Sequence, residues 1–401
     1  MRISTNLLYF NSHSQLSKTQ NLLNQTMEQL ATGKKVNTAG DDPIAAIAIN
    51  NLNQQNRLAE QYLSNIDYAR NRLSLNEAKM GEADSLLNNV KELMLRANNG
   101  QLTADEKGLL SDEMNNLVDE LVAIGNTKDA SGNYVFGGHQ QGEAPFVRQA
   151  DGTVVFRGDA GKLEALVDDG VRIDTSTSGL DMLMQIANPS GDYRASYDAG
   201  NTGDGFLESA KITDPANHTA DDFRYQFVGD GSGGMELQVL DSGGNTVHTQ
   251  SPFDPSQPLK FNGMEVQFSG TPEIGDVIDT TPGSSFDVFS SLNQAIDLLN
   301  ADPGLESPAG QKELAQLLND IDQGLASIHL KRGEFGNTLK SLDSFQQAHE
   351  ETRLLNETAL SPLQDVDYAE AITLFEQQML ALNAVNNTFS KVNTISLFNY
   401  I

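Results

Sequence analysis

The chain of 401 residues contains no cysteine and no tryptophan. Without cysteine there is no disulfide, no thiolate nucleophile and no cysteine-ligated zinc or iron–sulfur centre. Aromatic residues make up only 6% of the chain, so a core must come from Leu, Ile, Val, Met and Ala, and a large aromatic-lined pocket is disfavoured. Basic residues are scarce too: 26 Lys and Arg face 55 Asp and Glu, a formal charge of −29. That balance argues against nucleic acid or an anionic membrane surface as the main partner, because both are held through clustered Lys and Arg. No apolar run approaches the ~18 residues of a membrane-crossing helix, so no membrane insertion is expected. The opening MRISTNLLYFNSHSQLSKTQ lacks the apolar segment and small-residue cleavage site of a secretory leader. A chain that leaves the cell in this form is expected to do so uncleaved.

Chemical motifs are missing as well. The six histidines form no HExxH and no pair at i, i+4, the spacing that sets two imidazoles on one helical face for zinc. Gly229, Gly231 and Gly234 have the spacing of a dinucleotide fingerprint, but they open Met235–Val239, a period-two run rather than a helix. They read as a turn between strands. Asp168-Asp169 and Asp221-Asp222 lack the alternating oxygen ligands of a calcium loop. The expectation is a protein with no catalytic residues, no metal and no cofactor, and not an enzyme.

What is present is heptad periodicity at both ends of the chain. Leu52, Ala59, Ile66, Leu73, Met80, Leu87 and Met94 recur every seven residues, with Tyr62, Ala69, Ala83, Val90 and Ala97 in the complementary positions and Asn76 as a polar exception. This seam predicts one helix from near Pro43 to about Asn98, on the order of 80 Å long. Thr103 and Glu106 form a capping-box pair before a second helix carrying Leu110, Met114, Leu117, Leu121 and Ile124. Near the other end, Ser284 and Asp287 precede a short helix with Phe289, Leu292, Ile296 and Leu299 on one face. Leu314, Ile321, Ile328, Phe335 and Leu342 then repeat the seven-residue seam. Pro362 and Asp365 are expected to separate that helix from a last one.

The middle of the chain differs. Phe146–Gln149 and Val154–Arg157 flank Asp151-Gly152 as a hairpin, and the Gly-, Asp- and Ser-rich stretch that follows holds alternating runs at Phe223–Val228, Met235–Leu240 and Met264–Phe268. The fold class expected is a mainly α, elongated helical bundle or coiled-coil rod formed by both ends of the chain, with a small β-hairpin region and an inserted mainly β domain. The rod body covers 41–188 and 284–364, the insert 189–283, and the terminal helices 1–40 and 365–401.

The terminal segments are nearly neutral despite the total of −29: Arg2, Lys18, Lys34 and Lys35 face Glu28 at one end, Glu370 and Glu376 face Lys391 at the other. Surfaces that pack against neighbours avoid like-charge repulsion. The stripes expected to be buried on assembly are Leu16, Leu23, Met27 and Leu30, with Phe375, Leu382, Val385, Phe389 and Val392. Their polar settings predict helices that are disordered in the monomer and ordered by partners. Gly33, Asn37, Gly40, Asp41, Asp42 and Pro43 are expected to link the first helix to the body and cap the long helix.

Met1-Arg-Ile-Ser-Thr-Asn6, Leu30-Ala-Thr-Gly-Lys-Lys-Val-Asn37 with Gly40-Asp-Asp-Pro-Ile-Ala-Ala46, Asn133-Tyr-Val-Phe-Gly-Gly138, and Val366-Asp-Tyr-Ala-Glu370 with Phe375 and Gln377 together resemble the flagellin superfamily, and within it the hook–filament junction branch. The resemblance covers roughly residues 1–185 and 285–401 and does not extend to the middle domain. It implies a structural subunit joining hook to filament by helical packing, extracellular after synthesis in the cytoplasm, and exported through the flagellar type III system. The partners implied are a hook-associated junction protein on the hook side, flagellin or the filament cap on the distal side, further copies of itself in a ring or helical layer, and a flagellar export chaperone. The alternatives are a flagellin-like filament subunit and a secreted adhesin that binds through the middle domain.

Overall fold

The computed structural model describes residues 2–98, 102–301 and 304–394. Among them are six α-helices: α1 Arg2–Thr32, α2 Pro43–Ala97, α3 Ala104–Gly125, α4 Val288–Asn300, α5 Pro308–Gln364 and α6 Tyr368–Thr394. The chain divides into a terminal unit, Met1–Ser64 with Ser344–Ile401, and a central unit, Asn65–Asp343. Helices α2 and α5 contribute residues to both.

In the central unit the heptad seam is buried as its spacing requires. Ile66, Leu73, Met80 and Leu87 of α2 and Ile321, Ile328 and Leu342 of α5 are fully buried. Polar side-chain pairs flank the seam in antiparallel order: going from Lys91 through Asp84 and Glu77 to Arg70, the partners advance from Asp322 through His329 and Arg332 to Asp343. Asn76, the polar exception, is buried and donates from Nδ2 to the carbonyls of Arg72 at 2.9 Å and Thr175 at 3.4 Å. It belongs to a buried polar patch in which Arg72 lies 3.7 Å from Asp129. Helix α3 opens on the capping box, with Glu106 N–H donating to Thr103 Oγ1 and Thr103 N–H donating to Glu106 Oε2. It packs on α4, whose Phe289, Leu292, Ile296 and Leu299 are all buried. On α3 it is Val118, one residue past the expected Leu117, that is fully buried.

Fourteen strands are described. Strands β1 (Phe146–Arg148) and β2 (Val154–Phe156) form the expected hairpin, and β3 (Glu164–Asp168) and β4 (Val171–Asp174) a second. At the first turn only Gly152 takes positive φ, +88°. The Gly152 N–H donates to Gln149 C=O and the Gln149 N–H to Thr153 C=O, so the loop is a turn with a following left-handed residue rather than a two-residue turn at Asp151-Gly152. Beyond these, β5 (Ile186–Ala187) pairs with β14 (Ser285–Phe286) and closes the neck of the insert.

The insert holds β6 (Tyr193–Tyr197), β7 (Phe206–Ile212), β8 (Phe223–Gly229), β9 (Met235–Leu240), β10 (Thr246–Gln250), β11 (Leu259–Phe261), β12 (Met264–Ser269) and β13 (Val277–Pro282). They make a five-stranded sheet in the order β10-β9-β8-β13-β6 and a three-stranded sheet in the order β11-β12-β7. The scarce aromatics are concentrated in its core: Phe223 meets Phe261 edge-on at 5.1 Å, and Phe227 meets Phe253 likewise at 5.1 Å. The three glycines with dinucleotide-like spacing turn β8 into β9, with Asp230 N–H donating to Gly234 C=O.

One edge of that sheet, β6, is covered by α5. Three α5 side chains spaced four residues apart grip it and the chain beside it. Lys312 Nζ donates to Gly203 C=O at 2.6 Å, Gln316 Nε2 to Ala195 C=O at 3.2 Å, and Asp320 Oδ2 accepts from Arg194 Nη2 at 2.6 Å and from Ser291 Oγ at 2.8 Å. Asp320 is fully buried. Burial pushes its carboxyl above the usual range although Arg194 pulls the other way.

In the terminal unit, α2 and α5 are again antiparallel: Asn356 donates to Asn56 at 2.9 Å, the rings of Tyr62 and His349 lie 5.1 Å apart, and Ala45, Ile49 and Leu360 form a small cluster. Pro362 does not end α5. The helix runs through it to Gln364, and α6 is capped by Asp367, not Asp365: Asp367 Oδ1 accepts from the N–H groups of Ala369 and Glu370. At α4 the cap is Asp287 alone, accepting from Ser290 N–H at 2.6 Å.

Candidate assembly surface

Helix α1 packs along α6, and this contact decides which apolar residues remain available. Leu23 is buried, and Leu16, Leu30, Phe375, Leu382 and Val385 are half-buried. Among the described residues of the expected assembly stripe only Met27 is exposed, at 49%. The side chains of Phe389 and Val392 lie outside the described residues. The seven-residue stripes Leu16–Leu23–Leu30 and Phe375–Leu382 are therefore largely covered within the chain, because the narrowest apolar seam is what two paired helices bury first. Apolar residues off that register face outward: Leu7, Phe10 and Leu22 on α1, and Ile372, Leu374, Met379 and Leu380 on α6. The signal that could have found them is an apolar count exceeding what a single seam can hold.

The same surplus appears on the parts of α2 and α5 in this unit, where Ile44, Ile47, Leu58, Leu354 and Leu355 are exposed. Among the described residues the terminal unit carries 15 of the 23 exposed large hydrophobics, although it is less than half the length of the central unit. It also carries 7 basic against 11 acidic residues, while the central unit carries 19 against 44. A weakly charged surface rich in exposed apolar side chains is the signature of an interaction face.

The connectors of this unit are held by polar contacts. Gly33, at φ +70°, ends α1, and a Cβ there would come within 2.9 Å of Tyr368 Oη. Gly40 has no such demand: its φ is not positive and a Cβ would meet only Thr38 Oγ1, at 3.5 Å. Asn37 Oδ1 accepts from Thr32 Oγ1 at 3.0 Å. Asp41 Oδ2 accepts from the N–H groups of Asn37 and Thr38 and from Thr38 Oγ1, and its Oδ1 from Gln25 Nε2 at 2.9 Å. The Thr38 N–H above all holds the Asp41 carboxyl below its usual range. Asp42 caps α2 by accepting from the N–H groups of Ile44 and Ala45, both at 3.0 Å, and Pro43 occupies the first helical position, where no N–H is needed.

Elsewhere the ionisable groups serve structure. In the cavity of about 290 Å³ between β7 and α5, Lys312 is tied to Gly203 C=O, and Tyr197, pushed up to about 12 by burial, accepts the Leu207 N–H. Among the described residues no group of three or more His, Asp or Glu is placed to hold a metal ion, and no helix is long and apolar enough to cross a membrane.

Comparison with known proteins places this arrangement. The bacterial flagellin N-terminal helical region matches residues 3–141. The flagellar hook-associated protein 3 of Escherichia coli K12 is 25% identical over 402 residues that span 99% of both chains. The Xanthomonas campestris FlgL crystal structure is 26% identical with a TM-score of 0.63, covering 76% of this chain and 98% of that one. The hook associated protein-3 of Legionella pneumophila shares the fold at 24% identity and a TM-score of 0.67, over 79% of this chain and 98% of that one. The alignment with the Escherichia coli protein takes in both helical ends, the hairpin region and the insert, so the similarity to flagellar hook-associated proteins runs over the whole chain and not over its first helices alone.

Proposed function

We propose that this protein is a structural subunit that joins the bacterial flagellar hook to the filament, working by helical packing and not by catalysis. The observation that carries the reading is the concentration of exposed apolar side chains on a weakly charged terminal unit. Burying one such side chain between subunits contributes about 1.5–3 kcal/mol, so a handful per contact suffices for a stable joint. The expected neighbours are a hook-associated protein on the hook side, flagellin or the filament cap on the distal side, and further copies of this chain. An export chaperone handles the chain before it leaves the cytoplasm uncleaved through the flagellar type III apparatus. In this reading α1 and α6 order as subunits meet. Most aromatics of the insert, among them Phe223, Tyr225, Phe227 and Phe268, are buried in its own core.

Deletion of the gene tests it. The expected phenotype is loss of attached filaments with flagellin still secreted as monomer, restored by the wild-type chain and not by Leu380→Asp. Filaments of normal length and attachment in the deletion strain overturn the reading.

A further inference from the structure

The two connectors of the terminal unit cross side by side. Lys35 N–H donates to Gln364 C=O at 2.6 Å and Val366 N–H to Gly33 C=O at 3.0 Å, so Lys34 and Asp365 form an antiparallel bridge between chain segments more than three hundred residues apart in sequence. Each side is braced to its own helix. Gln29 Nε2 of α1 donates to Lys35 C=O at 2.8 Å, and Ser361 Oγ of α5 donates to Asp365 Oδ2 at 2.7 Å. Asp41 gathers the rest of the first connector around one carboxylate and ties it back to α1 through Gln25. Tyr368, in the first turn of α6, closes over Gly33.

We infer that these connectors are an interlock through which α1 and α6 order and release as one unit, with Asp41 as its positioning residue. The inference rests on the assembly role proposed for this unit and adds its regulation. The Gly33 carbonyl that ends α1 takes its partner from Val366, in the segment leading into α6, while the Lys35 N–H just beyond takes its partner from Gln364, the last residue of α5. If α6 and the segment leading into it are drawn away, the Gly33 carbonyl loses the Val366 N–H, and α1, which packs along α6, loses its apolar cover as well. A partner that takes hold of α6 alone therefore disarms α1 too, and a subunit cannot dock by one end only.

The absence of cysteine makes the test direct. Lys34 and Asp365 are exposed and face each other at a pair flanked by the two hydrogen bonds, the geometry in which opposing Cα atoms approach to about 4.5 Å, within disulfide reach. The full chain carrying Lys34→Cys with Asp365→Cys is expected to form an intramolecular disulfide under mild oxidation, whereas Lys34→Cys with Glu376→Cys stays reduced. Closing the bond is expected to slow amide hydrogen exchange several-fold in α1 and in α6 together, and reduction to reverse both. Adding Asp41→Ala is expected to lower the effective concentration of the thiol pair, measured against glutathione, several-fold, and Asp41→Asn to restore part of it. Thiols that react with a small probe but not with each other, a bond that slows exchange in one helix only, or an effective concentration indifferent to Asp41 overturns the interlock. None of these readouts involves filament assembly, so failure of the assembly role is recognised separately.

Discussion

The terminal and central units are built from the same heptad grammar and end in opposite surfaces. The central unit buries its seams, places most of its aromatics in cores inside and beside the insert and shows solvent a strongly acidic exterior. The terminal unit pairs its helices just as regularly yet leaves Phe10, Ile44, Leu355 and Leu380 more than two-thirds exposed. Helix pairing by itself therefore does not mark an interaction surface. The surplus of apolar residues beyond the paired seam does.

The sharpest way to break this contrast is to charge the terminal surface. Leu380→Asp or Phe10→Asp is expected to abolish incorporation into flagella while changing the stability of the isolated chain by no more than about 0.5 kcal/mol, as for other surface substitutions. Secretion, motility and a urea melt measure the two halves of that statement. The reverse result is expected in the central unit. Asp320→Ala leaves the Arg194 guanidinium without its buried partner and is expected to cost about 3 kcal/mol, read as a lower denaturant midpoint, with the terminal unit still able to dock. A smaller loss of about 1 kcal/mol is expected for Thr103→Ala, which removes the capping box of α3; a matching drop in thermal midpoint checks it.

The pH response gives the finest discrimination. Burial raises the carboxyls of Asp287 and Asp320 above 3.8 and that of Glu313 above 4.5. A group whose folded value is raised contributes stability that is complete below its unfolded value and lost as pH rises through the folded one. At Asp41, with its carboxyl held low by hydrogen bonds, the sign is opposite: its contribution is present above the unfolded value and fades as pH falls through the folded one. The three raised carboxyls thus withdraw stability from acid toward neutral pH, against the opposite pull of the hydrogen-bonded Asp159, Asp204, Asp230 and Asp241 in the same unit, while in the connector Asp41 adds it; Asp320→Asn should remove its share of the first trend. Urea midpoints across that range, followed by probes in each unit, measure the difference.

Much of the architecture is legible in the sequence because period seven over many turns leaves one solution: α2 and α5 bury Leu73, Met80, Ile321 and Ile328 at the positions their spacing requires. Thr103 and Glu106 are legible for the same reason, being a local motif that needs no distant partner. What periodicity cannot tell is which partner a stripe meets. Leu23 and Leu382 read as intersubunit residues, but α1 and α6 cover them within one chain, and the residues left outside, Leu22 and Leu380, sit off the repeat. Pro362 reads as a breaker, yet a proline in the final turn of α5 removes one hydrogen bond from a helix of 57 residues, too little to end it there. The grip of Lys312, Gln316 and Asp320 on β6 joins residues more than a hundred apart in sequence, and no local pattern announces it.

The most direct measurement is hydrogen exchange by mass spectrometry on the isolated chain and on the same chain assembled in flagella. Assembly through the terminal unit gives new protection in α1, in the first turns of α2, in the last turns of α5 around Leu354–Leu355 and in α6, with β8–β10 of the insert unchanged. New protection confined to β8–β10, with the helices of the terminal unit exchanging as before, contradicts it.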